Sequence, residues 1–232
     1  MSMTITVGDR ETVPFQVEWA GAQTEVLRGN VTGHIALGSL AGLSDLYALG
    51  PLEGLRGEIT LVEGVPYISR VTTAKGIVVS STFRVGACFL AYVRVARWVE
   101  VTRPPSVRGE VELELFLPEA AAGLGIDPAK PFPYLLEGTL SEARFHILNR
   151  TDDAPHNPER HERAKVHFSL KRKAATVIGF YSKGHRGIFT PRESSIHQHV
   201  VTKDRTIAGH VDNILLGREV NLFLPDPTPE KQ

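Results

Sequence analysis

Short stretches rich in Val, Ile, Thr and aromatic residues, cut apart by Gly and Pro, most constrain what this chain can become. Phe15 to Trp19, Gly57 to Leu61, Tyr67 to Thr72, Ile77 to Phe83 and Phe89 to Val101 are of this kind, with turns such as Glu63-Gly64-Val65-Pro66 and Ala74-Lys75-Gly76 between them. β-Branched and aromatic side chains suit a pleated surface, while Gly and Pro set tight reversals. The first half therefore reads as a meander-like sheet. One interruption is expected over Leu40 to Leu49, where Leu40, Leu43, Leu46 and Tyr47 recur at helical spacing.

Between Ser106 and Gly123 two patterns compete. Glu110, Glu112 and Glu114 alternate with Val111, Leu113 and Leu115 as in a strand, whereas Pro118-Glu119-Ala120-Ala121-Ala122 resembles the first turn of a short helix. Gly125-Ile126-Asp127-Pro128-Ala129-Lys130-Pro131 marks a boundary, which divides the chain into residues 1–125 and 126–232. Past it, Tyr134 to Gly138, Ala143 to Asn149, Ala174 to Tyr181 and Glu219 to Leu224 read as strands. Thr151 to Lys173, with His156, His161, His167 and mixed charges, reads as a solvated loop leading into a strand rather than as an anion site or a second metal segment. The expected fold class is α+β and predominantly β, with two closely packed sheet-containing halves.

The 232 residues carry 26 basic and 26 acidic side chains, so no charge excess argues for a nucleic-acid partner. Met1 to Arg10 has no apolar run of the secretory kind, and no stretch of about 20 apolar residues crosses a bilayer. A cytoplasmic protein without membrane association is the expectation. Cys88, the single cysteine, lies in the apolar run Ala87 to Val93 and reads as a buried thiol. The tail from Pro225 to Gln232 reads as frayed.

Function is most visible in the histidines. Ser195-Ile196-His197-Gln198-His199 is followed, after ten residues, by His210 in Ala208-Gly209-His210-Val211. If the intervening segment folds back with Asp204 and Arg205 at its tip, His199 stands opposite His210, and strand alternation puts His197 on the same face. Opposed Cβ atoms lie roughly 5 Å apart and diagonal ones about 7 to 8 Å, close enough for three rings to meet at one ion. Three nitrogen ligands with an open fourth position suit catalytic zinc. A lone strand histidine is more often a packing residue; the turn that brings a third ring to the pair favours the metal. Gly209 is expected to permit a close backbone approach beside His210. Thr190, Arg192 and Ser195, on the loop into the first ligand strand, are expected at the surface.

The run Gly179-Phe180, a Gly- and Pro-containing loop, His197-x-His199 and Gly209-His210-Val211 resembles the metal-binding region of bacterial alpha-acetolactate decarboxylases. Leu37-Gly38-Ser39-Leu40 and Gly54-Leu55-Arg56-Gly57-Glu58-Ile59-Thr60 are similar to that family's Gly-rich segment and its acidic strand, and the similarity spans about Gly33 to Pro225. The resemblance implies a zinc ion on His197, His199 and His210, an active-site glutamate at Glu58, and an arginine facing the metal. Arg150, after Glu137-Gly138 and Asn149, is the candidate for the last. It also implies a homodimer and decarboxylation of acetolactate or a related 2-hydroxy-3-oxo acid to an acetoin-like product. The family's longer C-terminal tail supplies a further glutamate, and Glu230 comes too early to fill that place.

Losing CO2 beside a ketone leaves an electron pair that must be accepted at oxygen, a task for a cation held by neutral imidazoles. A glutamate beside it suits the proton transfer, and a guanidinium fork suits a substrate carboxylate. Two other readings fit three histidines and a glutamate on strands: a cupin-like iron-dependent oxygenase or isomerase, and a non-catalytic ligand-binding homologue.

Overall fold

The computed structural model describes residues 15–228. In chain order its strands are β1 (Glu18–Ala20), β2 (Ile35–Ala36), β3 (Leu46–Pro51), β4 (Glu58–Val62), β5 (Val65–Val71), β6 (Ile77–Ser80), β7 (Gly86–Ala87), β8 (Leu90–Arg94), β9 (Trp98–Val101), β10 (Phe132–Leu148), β11 (Lys165–Tyr181), β12 (Ile196–Thr202), β13 (Ala208–Leu215) and β14 (Asn221–Pro225). The helices are α1 (Gln23–Leu27), α2 (Glu110–Gly123) and α3 (Pro158–Ala164). The expected class, a mostly β chain with two multi-stranded sheets, is what the structure has. Met1 to Arg10 and Glu230 lie outside the described residues.

The first sheet runs β1-β8-β3-β4-β5-β6 and the second β11-β12-β13-β10-β14-β9. In the second sheet β10 also pairs with β11 along nearly its whole length, so β10, β11, β12 and β13 close on one another. Closure leaves these four strands without a free edge, which suits a rigid site. β9, which precedes residue 125, joins the second sheet through β14.

Alternation along the strands sorts side chains into separate cores. Leu46 and Ala48 of β3, Ile59 and Leu61 of β4 and Ile68 of β5 pack on the outer face of the first sheet, against Leu37, Leu40 and Leu52. Tyr47, Leu49, Phe89, Ala91 and Val93 face the other way and meet Leu135, Leu148, Ile178 and Phe180 of the second sheet. The far side of that sheet is covered by α2 through Leu113, Leu117 and Ala121.

Several expectations change against this architecture. Leu46–Pro51 is a strand buried on both faces, not part of a helix, and the helical backbone before it is a 3-10 turn at Leu37–Leu40. A strand buried on both sides is apolar at every position, which periodicity cannot separate from a buried helix. Positive φ at Gly42 and Asp45 breaks the chain before it. The segment Phe89 to Val101 is two strands belonging to different sheets, and the expected strands at Tyr134 to Gly138 and Ala143 to Asn149 are one 17-residue strand, Phe132–Leu148. The glutamates of Glu110–Gly123 lie on a helix, with Pro118 inside it and Leu113, Leu117, Ala120 and Ala121 turned inward at helical spacing. The segment Thr151 to Lys173 holds α3 and the start of β11.

Candidate metal centre

The hairpin forms as the spacing implies. His199 and His210 are partners across β12 and β13, with Asp204 and Arg205 in the turn. His197 and His199 share the face directed at the first sheet, while Ile196 and Val200 point into the core under α2. Ring centroids lie 5.2 Å apart for His197 and His199, 4.8 Å for His197 and His210, and 5.4 Å for His199 and His210. One ligand atom from each of the three lies within 4.8 Å of the others. Gly209 is a close-approach position: a Cβ there would stand 2.7 Å from Phe145 Cδ2.

The tautomers are set from behind. His197 Nδ1–H donates to the Phe189 carbonyl at 2.6 Å, and His199 Nδ1–H to Thr60 Oγ1 at 2.9 Å. Each bond leaves a bare Nε2 on the ring. His197 Nε2 stands 3.0 Å from His210 Nδ1, and His199 Nε2 is buried with no partner. An orphaned buried nitrogen is costly unless something accepts its lone pair. Burial holds His197 down at about 4 and His199 and His210 well below the usual imidazole range, so all three are neutral near pH 7. Neutral imidazoles with outer hydrogen-bond partners are the donor set of a zinc site, so these residues fit that ion.

The first sheet supplies the acid. β4 turns Ile59 and Leu61 outward and Glu58 and Thr60 toward the histidines. Glu58 is 1 % exposed, accepts from the Leu148 N–H at 3.2 Å through Oε1, and brings Oε2 to 3.9 Å from His199 Nε2. Burial pushes its carboxyl up to about 8 despite the backbone bond, so without a bound cation it is protonated at neutral pH.

Arg150 is placed differently. Its backbone N–H donates to the Leu55 carbonyl at 2.9 Å, and its Nη2 donates to the Ala154 carbonyl at 3.0 Å within its own loop. It lines a cleft of about 220 Å³ with Asn149, Thr151, Asp152, His156, Arg160 and Arg163. The expected surface positions also divide. Arg192 is exposed, whereas Thr190 and Ser195 are buried, Thr190 donating to the Ser182 carbonyl at 3.3 Å. Cys88 is the buried thiol expected, its Sγ–H placed against the Val31 and Leu52 carbonyls.

Thr60, Ser69, His146 and Asp212 were not singled out by sequence. Thr60 follows Glu58 at i+2, so strand alternation was its available signal. Ser69 pairs across from Glu58, and its hydroxyl is buried without a partner. His146 lies across from His210, with ring centroids 4.5 Å apart, and donates from Nδ1 to Asp212 Oδ1 at 2.6 Å.

The sequence model of the family described as alpha-acetolactate decarboxylase matches residues 20–224. The chain belongs to the alpha-acetolactate decarboxylase family. The acetolactate decarboxylase from Bacillus subtilis subspecies spizizenii superposes with a TM-score of 0.73 at 15% identity, covering 90% of this chain and 85% of that one. The alpha-acetolactate decarboxylase of Bacillus subtilis strain 168 gives 0.70 at 15%, over 90% and 84%. A Staphylococcus aureus protein of unknown function, described as similar to alpha-acetolactate decarboxylase, gives 0.71 at 11%, over 90% and 84%. No curated protein sequence matches significantly. Family and fold together support a decarboxylase function and are consistent with a small-molecule substrate. No helix among the described residues is long and apolar enough to cross a membrane.

Two outcomes follow from the imidazole environment. Thr60→Val removes the acceptor of His199 Nδ1–H, and the metal affinity measured by competition with a chromophoric chelator is expected to fall about 10- to 100-fold, the usual effect of an outer-shell partner. In the metal-free protein, imidazoles with depressed values stabilise the fold fully above their ordinary pKa near 6.5. That contribution is lost as pH falls toward about 4, so thermal midpoints recorded in chelator should drop across this window. A flat profile there would contradict the burial of the triad.

Proposed function

We propose that the protein is a zinc-dependent decarboxylase of acetolactate or a related 2-hydroxy-3-oxo acid, forming an acetoin-like product, and that it works as a cytoplasmic homodimer. The observation that carries the reading is one buried carboxylic acid set against three imidazoles whose free nitrogens converge. His197, His199 and His210 would hold the ion. When bound, zinc would supply the positive charge that favours electron density moving onto the substrate oxygens as CO2 departs.

The chain's own groups do the rest. Glu58 holds a proton at its carboxyl and delivers it to the carbon that CO2 leaves, within the 100- to 10,000-fold range typical of positioned acids and bases. The Leu148 N–H fixes the carboxyl through Oε1, which leaves Oε2 as the working atom. Thr60 and the Phe189 carbonyl fix the rings of His199 and His197. Packing of Leu49, Phe89 and Phe180 between the sheets keeps water from competing for the same proton. We assign Arg150 to the substrate carboxylate: it opens on a cleft walled also by Arg160 and Arg163, and its backbone is two residues beyond the N–H that anchors Glu58.

Zinc-loaded protein incubated with acetolactate should release CO2 and accumulate acetoin, with both lost on chelation. Arg150→Ala should act mainly on KM. If no 2-hydroxy-3-oxo acid is turned over by fully loaded protein, the assignment fails. Light scattering reads the dimer directly.

A further inference from the structure

Cross-strand pairing produces a row of histidines that extends beyond the triad. His167 of β11 is opposite His146 of β10, His146 is opposite His210 of β13, and His210 is opposite His199 of β12. The register between β10 and β13 slips at one point: Arg144 pairs with Asn213 and Phe145 with Val211, so Asp212 has no partner. Such a bulge re-aims the side chain of the extra residue. Here it brings the Asp212 carboxylate between two rings, Oδ1 accepting from His146 Nδ1 at 2.6 Å and Oδ2 from His167 Nδ1 at 3.0 Å.

We propose that His146, Asp212 and His210 form a second divalent-cation site, joined to the first through the shared His210. One ligand atom from each of the three lies within 4.8 Å of the others, the same condition the first triad meets. His146 is 4 % exposed, while the Asp212 side chain is 22 % exposed, so the site has a buried wall and an open side on which water can complete the coordination. Two imidazoles and one carboxylate suit a borderline transition-metal ion such as zinc, iron(II), cobalt(II) or manganese(II). His167 holds the second carboxylate oxygen in the manner of an outer-shell partner, which fixes the first oxygen toward the ion.

Each position has one carboxyl group at hand. The first ion has Glu58 beside it, and the second has Asp212 as a direct ligand. His210 has two ring nitrogens, and Nδ1 faces His197; to join both positions the ring would serve as an imidazolate, its N–H proton passing to solvent as the second ion binds. The proposal concerns ion binding by this chain and stands apart from the identity of the substrate.

Metal-free protein titrated with cobalt(II) and followed by calorimetry and by elemental analysis after desalting tests it. Two equivalents per chain are expected, and one in Asp212→Asn, an isosteric change that leaves His197, His199 and His210 in place. His146→Gln should also leave one. His199→Gln should lose the other equivalent and keep the one that Asp212→Asn loses. Wild-type protein saturating at one equivalent, or Asp212→Asn still binding two, overturns the proposal. Circular dichroism of each variant separates loss of the site from loss of the fold.

Discussion

Replacing His199 by leucine is expected to make the metal-free protein more stable and the metal-loaded protein inactive. His199 Nε2 is buried with no hydrogen-bond partner, and such a group costs about 1 to 3 kcal/mol. Leucine fills similar space without the unpaired nitrogen, although Thr60 Oγ1 then loses its partner and offsets part of the gain. Metal affinity should fall by more than about 100-fold, beyond what removal of an outer-shell partner does. With it goes the stabilisation that a saturating ion adds, about 2.7 kcal/mol at 100 times the dissociation constant. Thermal melts with and without zinc separate the two effects: the wild type should shift upward on loading and His199→Leu should not. A variant that retains its zinc, or that melts lower than wild type in chelator, would show that this nitrogen does not serve an ion.

That opposition between stability and function explains why the convergence of the three histidines was legible in the sequence when much of the fold was not. Histidines at i, i+2 and i+13 on a two-stranded hairpin have few reasons to converge other than a ligand, and a turn at Asp204-Arg205 is locally encoded, so the pairing of His199 with His210 could be read directly. Glu58 was reachable only through the resemblance, because burial of a lone carboxyl is decided by a strand from the other sheet. His146 and Asp212 carried no local signal. Their meeting depends on a bulge between strands that are more than sixty residues apart, and a bulge is a property of two strands together. The same non-locality hid the fate of Leu46–Pro51. Its apolar run states that both faces are covered and says nothing about whether helix or strand carries them. Thr190 and Ser195 differ from expectation for a related reason: their polarity suggests solvent, but the Ser182 carbonyl takes up the Thr190 hydroxyl, and Arg186 donates to Ser195 Oγ at 2.8 Å, so both are satisfied while buried.

Glu58→Gln should lower kcat by about 100- to 10,000-fold while leaving bound zinc nearly unchanged, since the carboxyl sits beside the triad without belonging to it. Glutamine preserves the shape and the acceptor for the Leu148 N–H but has no proton to give at Oε2. The same substitution has a second, independent signature in the absence of metal. Because burial raises the Glu58 carboxyl to about 8, the protonated form is the one the fold favours. Its contribution is fully present below the unfolded value near 4.5 and is lost as pH rises through about 8. Ionising the group inside the metal-free fold costs on the order of 5 kcal/mol at about 1.36 kcal/mol per unit. Wild-type protein in chelator should therefore lose stability from about pH 6.5 to 9, above the window in which the imidazoles titrate, and Glu58→Gln should not. Denaturant midpoints measured across that range in chelator decide the point. Parallel profiles for wild type and Glu58→Gln in chelator would mean that the carboxyl is hydrated, and an undiminished kcat would remove it from the proton transfer.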